Sequence, residues 1–275
     1  MQVKYDVPIS ALTTFQNQGV IKTVYTAQTP AELTQFLAQN MPFCVLGKGS
    51  NVLLSPALES PILQVSPSWC EPQKNENHLH LSAGTPVHTL MKLCQEMGLS
   101  GMEFSAGVPA SLGGMVAMNF GCWGQEMSQV VDRVLVFWAT GKSEWLGVND
   151  LEFGYRTSLF HRQKGIITEV VLSLSPTDPE QVRQTARSFI DQRNAKQPLR
   201  AKTFGSTFKN PPQGYAGAII EALGLKGKPE GGVMFSPKHA NFMENFGSGT
   251  FEDALKLIQT VRQQTQLEME VQILQ

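Results

Sequence analysis

Apolar residues recur at helical spacing in some stretches of the chain and gather into short runs in others. The segment Pro30-Ala-Glu-Leu-Thr-Gln-Phe-Leu-Ala sets proline at a helix start with apolar residues at helical spacing behind it. A second helix is expected from Pro86 to Met97. A third follows Ser175-Pro-Thr-Asp-Pro179. There Thr177 and Glu180 have capping-box spacing, and Val182, Ala186, Phe189 and Ile190 fall at i, i+4, i+7 and i+8 on one face. Thr250 and Asp253 repeat the box ahead of Phe251, Ala254, Leu255, Ile258 and Val261.

The short apolar runs read as strands. Phe43 to Leu46 and Val52 to Leu54 are expected as short buried strands on either side of Gly47-Lys-Gly-Ser-Asn51. Further strands are expected at His78 to Ser82, at Val130 to Ala139 with a turn at Gly141, at Gly165 to Leu174, and at Leu267 to Leu274 closing the chain. Strands and helices mix without a regular βαβ cycle, which predicts an α+β fold. The punctuation at residues 175–179 predicts a boundary, with 1–65 and 66–175 as two subdomains of one region and 176–275 as another. At about 150 residues per domain, 275 residues suit that division.

Composition narrows the function. Hydrophobic residues make up 41% and charged residues 16%, as in an ordinary globular protein. Lys and Arg number 22 against 23 Asp and Glu, a net charge of -1, so neither nucleic acid nor an anionic membrane is an expected partner. No apolar run approaches the roughly 18 residues of a spanning helix. The opening Met1-Gln-Val-Lys-Tyr-Asp reaches Asp6 before any apolar stretch, unlike a secretory leader. A cytoplasmic location is expected. Oligomeric state stays open, with a monomer as the default.

Cys44, Cys70, Cys94 and Cys122 are scattered, with no CxxC and no Cys/His pair at metal-ligand spacing. Neither a disulfide scaffold nor a zinc module is therefore expected, and no metal. Cys44, in Phe43-Cys-Val-Leu46, reads as a buried small hydrophobe. Cys122 lies in a glycine-rich loop and is the one thiol left open as a nucleophile, although no histidine is near it in sequence.

Two glycine loops carry the first chemical signal. Gly47-Lys-Gly-Ser-Asn51 follows a strand but matches neither GxGxxG nor GxxxxGK[ST]. Ala106-Gly-Val-Pro-Ala-Ser-Leu-Gly-Gly-Met115 is denser and continues as Met118-Asn-Phe-Gly-Cys-Trp-Gly124. Glycine lets backbone N–H groups approach an anion closely, so two such loops can pinch one pyrophosphate. Plain turns are the alternative.

Five segments then occur in one order: Leu46-Gly-Lys-Gly-Ser-Asn-Val-Leu, Gly107-Val-Pro-Ala-Ser-Leu-Gly-Gly with Met118-Asn-Phe-Gly, Phe153-Gly-Tyr-Arg-Thr-Ser158, Gly205-Ser-Thr-Phe-Lys-Asn-Pro211 and Lys238-His-Ala-Asn-Phe242. The series resembles the UDP-N-acetylenolpyruvoylglucosamine reductase family (UDP-N-acetylmuramate dehydrogenases), flavoenzymes of peptidoglycan precursor synthesis, from about Thr13 to Val271. The short passage from Phe160-His-Arg-Gln-Lys-Gly165 into the next strand matches the subgroup without an inserted tyrosine loop.

That resemblance implies a vanillyl-alcohol-oxidase/PCMH-type FAD-binding domain of two subdomains, followed by a C-terminal α+β substrate domain. It implies FAD as cofactor, NADPH as reductant and a UDP-sugar enolpyruvyl ether as the small-molecule substrate, reduced to a lactyl ether. Gly47, Lys48, Gly49, Ser50 and Asn51 would cradle the FAD pyrophosphate, and Gly107, Ser111, Gly113, Gly114 and Asn119 would line the same cofactor. Arg156 would hold the substrate carboxylate through its planar fork. Glu270 would act as a neutral acid beside the developing charge, with a raised pKa, and Ser206 would give the proton. Tyr155, Lys209 and Asn210 would contact substrate, while Lys238, His239 and Asn241 would brace the C-terminal domain.

The chain departs from the family's pattern in several places. Gln16-Asn-Gln-Gly19 stands where a Gly-Gly pair is usual, Lys48 and Ala110 replace glycines, and Phe120, Cys122 and Trp123 replace Ala, Ala and Tyr. Gln272 stands where arginine is common. Lys48 would offer its charge to the pyrophosphate in compensation. Two other readings remain open on these residues: a non-catalytic descendant that binds FAD or a nucleotide sugar, and another FAD oxidoreductase of the same fold.

Overall fold

A computed structural model describes residues 1–275. The chain forms two compact units. One comprises Met1–Val3, Tyr25–Gly47 and Ile62–Asp191; the other comprises Lys4–Val24, Lys48–Pro61 and Gln192–Gln275. The contiguous spans 1–65, 66–175 and 176–275 divide the chain differently. The reason is long-range pairing: the strand Gln272–Leu274 lies parallel to Val52–Leu54, and the Phe15 ring packs on Phe204 with centroids 4.6 Å apart.

The first unit is built on a five-stranded antiparallel sheet in the order Ser143–Gly147, Val131–Trp138, Gly165–Ser173, His78–Ser82, Gln73–Asn75. The central strand Gly165–Ser173 is buried along most of its length because both sheet faces are covered. Alternate residues serve the two faces. Val134, Val136, Ile167, Val170 and Leu172 join the core under helices α2 (Val87–Met97) and α3 (Leu112–Ala117). Phe137 and Ile166 join a second cluster with Leu33, Phe36 and Leu37 of α1 (Pro30–Leu37). As expected, α1 starts at a proline, and the Thr29 hydroxyl accepts the Glu32 N–H. Helix α3 was hidden by its own sequence: Gly113 and Gly114 lower helix propensity. Packing selects glycine there, since a Cβ on Gly113 would come within 2.8 Å of the Ala83 Cβ.

The second unit has a four-stranded antiparallel sheet in the order Lys202–Ser206, Phe242–Asn245, Val233–Phe235, Pro229–Glu230, covered by α5 (Ala216–Ala222) and α6 (Phe251–Gln264). The capping box of α6 forms as expected: the Thr250 hydroxyl accepts the Asp253 N–H and the Asp253 carboxylate accepts the Thr250 N–H.

Three local expectations change. Helix α4 (Pro179–Lys196) is capped by Asp178, whose carboxylate accepts the Glu180 N–H at 2.7 Å, while the Thr177 hydroxyl bonds to Gln181 instead. The strand expected at Phe43 to Leu46 shortens to Cys44–Val45, and neither residue is buried: Val45 is 45% exposed and Cys44 half-buried. The closing strand shortens to Gln272–Leu274. Just before it, Met269 forms only an isolated bridge to Phe208, so the run from Leu267 does not continue as one strand.

Candidate active site

In the second unit, residues 48–51 of the first glycine loop are built against residues from the far end of the chain. Gly49 is buried with φ +60, and a Cβ there would meet the Leu12 carbonyl oxygen at 2.3 Å. Both the left-handed backbone and the contact demand glycine. The Thr14 N–H donates to the Gly49 carbonyl, and its hydroxyl donates to the Thr203 carbonyl at 2.7 Å. Asn51 donates its side-chain amide to the Glu270 carbonyl at 3.0 Å, and Gln272 N–H returns to the Asn51 carbonyl at 3.0 Å. The backbone N–H groups of residues 47–51 donate to no backbone carbonyl. A run of N–H groups outside the backbone network suits a ligand with several acceptor oxygens.

Ser206 ends the strand Lys202–Ser206 at a bulge and is half-buried. The following Thr207 carbonyl accepts the Glu270 N–H at 2.9 Å and the Val271 N–H at 3.3 Å. Ser206 and Glu270 are thereby held as neighbours, and Glu270 is half-buried. Glu268, the other carboxylate of this segment, is exposed and pairs with Lys209 at 3.4 Å. Lys209 is thus tied to a carboxylate, and the Asn210 side-chain oxygen accepts the Ala216 N–H at the start of α5.

Asn241 does brace the domain. Its buried side chain takes the Phe208 N–H at 3.0 Å and gives to the Phe208 carbonyl at 2.8 Å. Lys238 bonds to the Asn194 carbonyl. The His239 ring packs edge-on against Phe242, and its buried Nδ1 has no hydrogen-bond partner. Burial holds the His239 pKa below its ordinary value.

In the first unit, Gly47 and the second glycine loop face each other at close range. A Cβ on Gly47 would lie 2.2 Å from the Ser111 hydroxyl, which also lies 3.1 Å from a Cβ placed on Gly114. Gly47, Gly107 and Gly114 are exposed, whereas Ser111 and Gly113 are buried. Asn119 is fully buried and left-handed, φ +46; its amide donates to the Gly154 carbonyl at 3.0 Å and its oxygen accepts the Ser128 N–H. That side chain therefore fixes the turn carrying Arg156. Arg156 also has a left-handed backbone, φ +55, donates to the Gly121 carbonyl, and sets its guanidinium 5.0 Å from the Tyr155 ring centroid. Left-handed φ at a non-glycine residue is strained, and such strain concentrates at functional sites.

The thiols divide by environment. Burial raises Cys44, pushes Cys70 to about 11 with help from Glu169 and Glu71, and pushes Cys94 to about 12. None of these three is a ready thiolate at neutral pH. Cys122 donates to the Phe104 carbonyl at 3.0 Å.

The comparisons with known proteins now bear on this geometry. Residues 197–274 match the family described as UDP-N-acetylenolpyruvoylglucosamine reductase, C-terminal domain, and residues 18–147 match an FAD binding domain. A curated UDP-N-acetylenolpyruvoylglucosamine reductase of Halalkalibacterium halodurans is 37% identical, over 83% of this chain and 78% of its own. One from Thermotoga maritima is 38% identical over 86% and 85%. The chain belongs to the UDP-N-acetylenolpyruvoylglucosamine reductase family. The crystal structure of the reductase from Thermus caldophilus superposes with a TM-score of 0.88, at 33% identity and covering 100% of both chains.

Membership in this reductase family establishes the FAD-binding domain, the C-terminal domain and the α+β class. The FAD-binding match spans both glycine loops, and the C-terminal match spans Ser206, Lys209, Asn210 and Glu270. Arg156 and Tyr155 fall in neither span. The chain's own residues fit FAD: the Gly47–Ser111–Gly114 contact, which any side chain would fill, lets backbone approach a pyrophosphate closely. Thr14, bonded to the Gly49 and Thr203 carbonyls, and Thr207, whose carbonyl takes the Glu270 and Val271 N–H groups, carry no motif that would mark them in the sequence.

Proposed function

We infer that this protein is the FAD- and NADPH-dependent reductase that converts UDP-N-acetylglucosamine enolpyruvate to UDP-N-acetylmuramate, a peptidoglycan precursor. Its partners are the UDP-sugar substrate and the nicotinamide reductant. The cytoplasm is its place of work, since NADPH is made and used there. No helix is long and apolar enough to cross a membrane.

When bound, FAD would supply the two-electron hydride chemistry that links NADPH to the enolpyruvyl group. The residues of the chain handle charge and protons. Gly47, Lys48, Gly49, Ser50 and Asn51, with Gly107, Ser111, Gly113 and Gly114, hold the cofactor, largely by backbone N–H groups. Asn119 contributes through the turn that it braces. The Arg156 fork holds the substrate carboxylate in two places at once, fixing the plane of the group about to be reduced. Charge building up on that carboxylate during reduction is met by Arg156 and by Glu270 acting as a neutral hydrogen-bond donor. Ser206 then gives its hydroxyl proton to the α-carbon and recovers one from water. A hydroxyl is a weak acid, but an enolate carbon is a strong base, so fixed geometry suffices. Lys209 and Tyr155 contact the rest of the substrate, and Asn210 orders the loop before α5.

The observation that supports this reading most is the Thr207 carbonyl, which ties Glu270 beside Ser206 although they are far apart in sequence. The test is to mix NADPH-reduced protein anaerobically with the enolpyruvyl substrate. Return of the yellow flavin colour with formation of the lactyl ether is expected. Flavin that stays bleached would leave a non-catalytic binder as the reading.

A further inference from the structure

The first unit gathers three metal-type donors well away in sequence from the glycine loops. Cys70, His80 and Glu169 are all half-buried, and their donor atoms lie within 4.8 Å of one another. They come from three segments: the stretch after the strand Ile62–Val65, the strand His78–Ser82 and the strand Gly165–Ser173. His80 stands opposite Val171, and Ser82 opposite Glu169, so His80 and Glu169 are diagonal neighbours on one sheet face. His80 Nε2 lies 2.6 Å from one Glu169 oxygen, and the Trp69 indole N–H donates to the other at 3.0 Å. Sequence spacing offered no sign of this cluster.

We propose that Cys70, His80 and Glu169 form a site for a single zinc-class divalent ion, with water as the fourth ligand. The donor set selects the metal. A sulfur and an imidazole disfavour calcium and magnesium, which take oxygen ligands, whereas mixed S, N and O donors are ordinary for zinc. The geometry needs little movement. Tetrahedral bonds of about 2.0 to 2.3 Å place ligand atoms roughly 3.3 to 3.7 Å apart. The His80–Glu169 contact, at 2.6 Å, must open by roughly 1 Å, and the widest pair, at most 4.8 Å apart, must close by at most about 1.5 Å.

Binding balances simply. The ion displaces the Cys70 thiol proton to solvent and takes the lone pair of neutral His80; thiolate and carboxylate then offset its two charges. Trp69 supplies the outer hydrogen bond that a ligating carboxylate ordinarily has. The ion would clip the Trp69–Cys70 segment to the sheet, a structural role separate from the reduction chemistry.

The experiment uses the FAD-loaded protein incubated with Zn²⁺ or Co²⁺ and then desalted. Wild type is expected to retain one ion per chain and, with cobalt, to show strong tetrahedral d–d bands beyond the flavin absorption. Zinc is also expected to raise its unfolding temperature. Cys70→Ser should weaken binding by about 100-fold and shift the cobalt bands. Trp69→Phe, which leaves all three ligands in place, should weaken it by about tenfold. His80→Gln repeats the test if Cys70→Ser fails to fold. Wild type that retains no ion, a weak octahedral cobalt spectrum, or variants that bind as wild type does would overturn the site.

Discussion

The Asn51 side-chain amide donates to the Glu270 main-chain carbonyl across 219 residues of sequence, at 3.0 Å. A residue of the first glycine loop thus helps to set the backbone of the acid expected to serve catalysis. Asn51→Ala removes a partly buried hydrogen bond and should lower the unfolding free energy by about 1 kcal/mol. Released from that anchor, Glu270 should be less well placed, so substrate reduction should slow more than NADPH-driven flavin reduction. Urea denaturation and separate half-reaction kinetics check both parts; equal slowing of the two half-reactions would contradict the anchoring role.

Ser206 sits where a strand ends, and its neighbour Thr207 carries the bonds that hold Glu270. Ser206→Ala leaves those main-chain bonds intact. Flavin reduction by NADPH should be unchanged, while reoxidation by the enolpyruvyl substrate should fall by about 10² to 10⁴, the range for losing a positioned proton donor. Stopped-flow absorbance resolves the two halves. A variant that reoxidises at the wild-type rate would remove Ser206 from the chemistry.

The contact between Gly47 and Ser111 predicts an interaction energy of a definite sign. Gly47→Ala sets a Cβ 2.2 Å from the Ser111 hydroxyl but 3.4 Å from the Ser111 Cβ. The clash is with the oxygen alone, so Ser111→Ala should relieve it. Gly47→Ala should destabilise by about 1 to 3 kcal/mol, and the double variant should recover most of that loss. Denaturant midpoints of the four proteins decide the matter; additive effects would mean that the loops do not meet as described.

What could be read from the sequence was local or carried by a motif. The α6 capping box and the proline start of α1 need only neighbouring residues, and both form. The α4 cap moved from Thr177 to Asp178 because two oxygen-bearing side chains compete for one helix start. Pairing partners were harder to foresee. Only Gln272–Leu274 finds Val52–Leu54, so the apolar run before it bends away to bridge Phe208 instead of continuing as strand. The family motifs singled out Ser206 and Glu270, but not Thr207, whose carbonyl joins them. Asn119 was read as a cofactor residue, yet its buried side chain is spent on Gly154 and Ser128. Motif order can locate a residue without saying which of its atoms face a ligand.

Arg156 holds a left-handed backbone at φ +55, where glycine is unstrained. Arg156→Gly relieves about 1 kcal/mol or more of backbone strain while losing the bond to the Gly121 carbonyl. These effects oppose, so Arg156→Gly should destabilise less than Arg156→Ala, which loses the same side-chain contacts but keeps the strain. Activity should fall by at least about 100-fold if the fork holds the substrate carboxylate. Lys at this position keeps charge without the fork and should restore only a small part of the rate. A glycine variant that is both stable and active would show the strain to be incidental.

His239 supplies a pH test of the C-terminal packing. Burial, with the Lys226 charge acting in the same direction, holds its pKa below the ordinary 6.5. In the unfolded chain the ring titrates normally, so below pH 6.5 the unfolded state binds a proton that the folded state resists. Stability contributed by neutral His239 is therefore complete above that pH and declines as the solution becomes more acidic. His239→Gln has no such proton to gain. The difference in unfolding free energy between wild type and this variant should be flat on the alkaline side and move against wild type on the acid side. A difference that does not change with pH would mean that the His239 ring is solvated enough to titrate alike in both states.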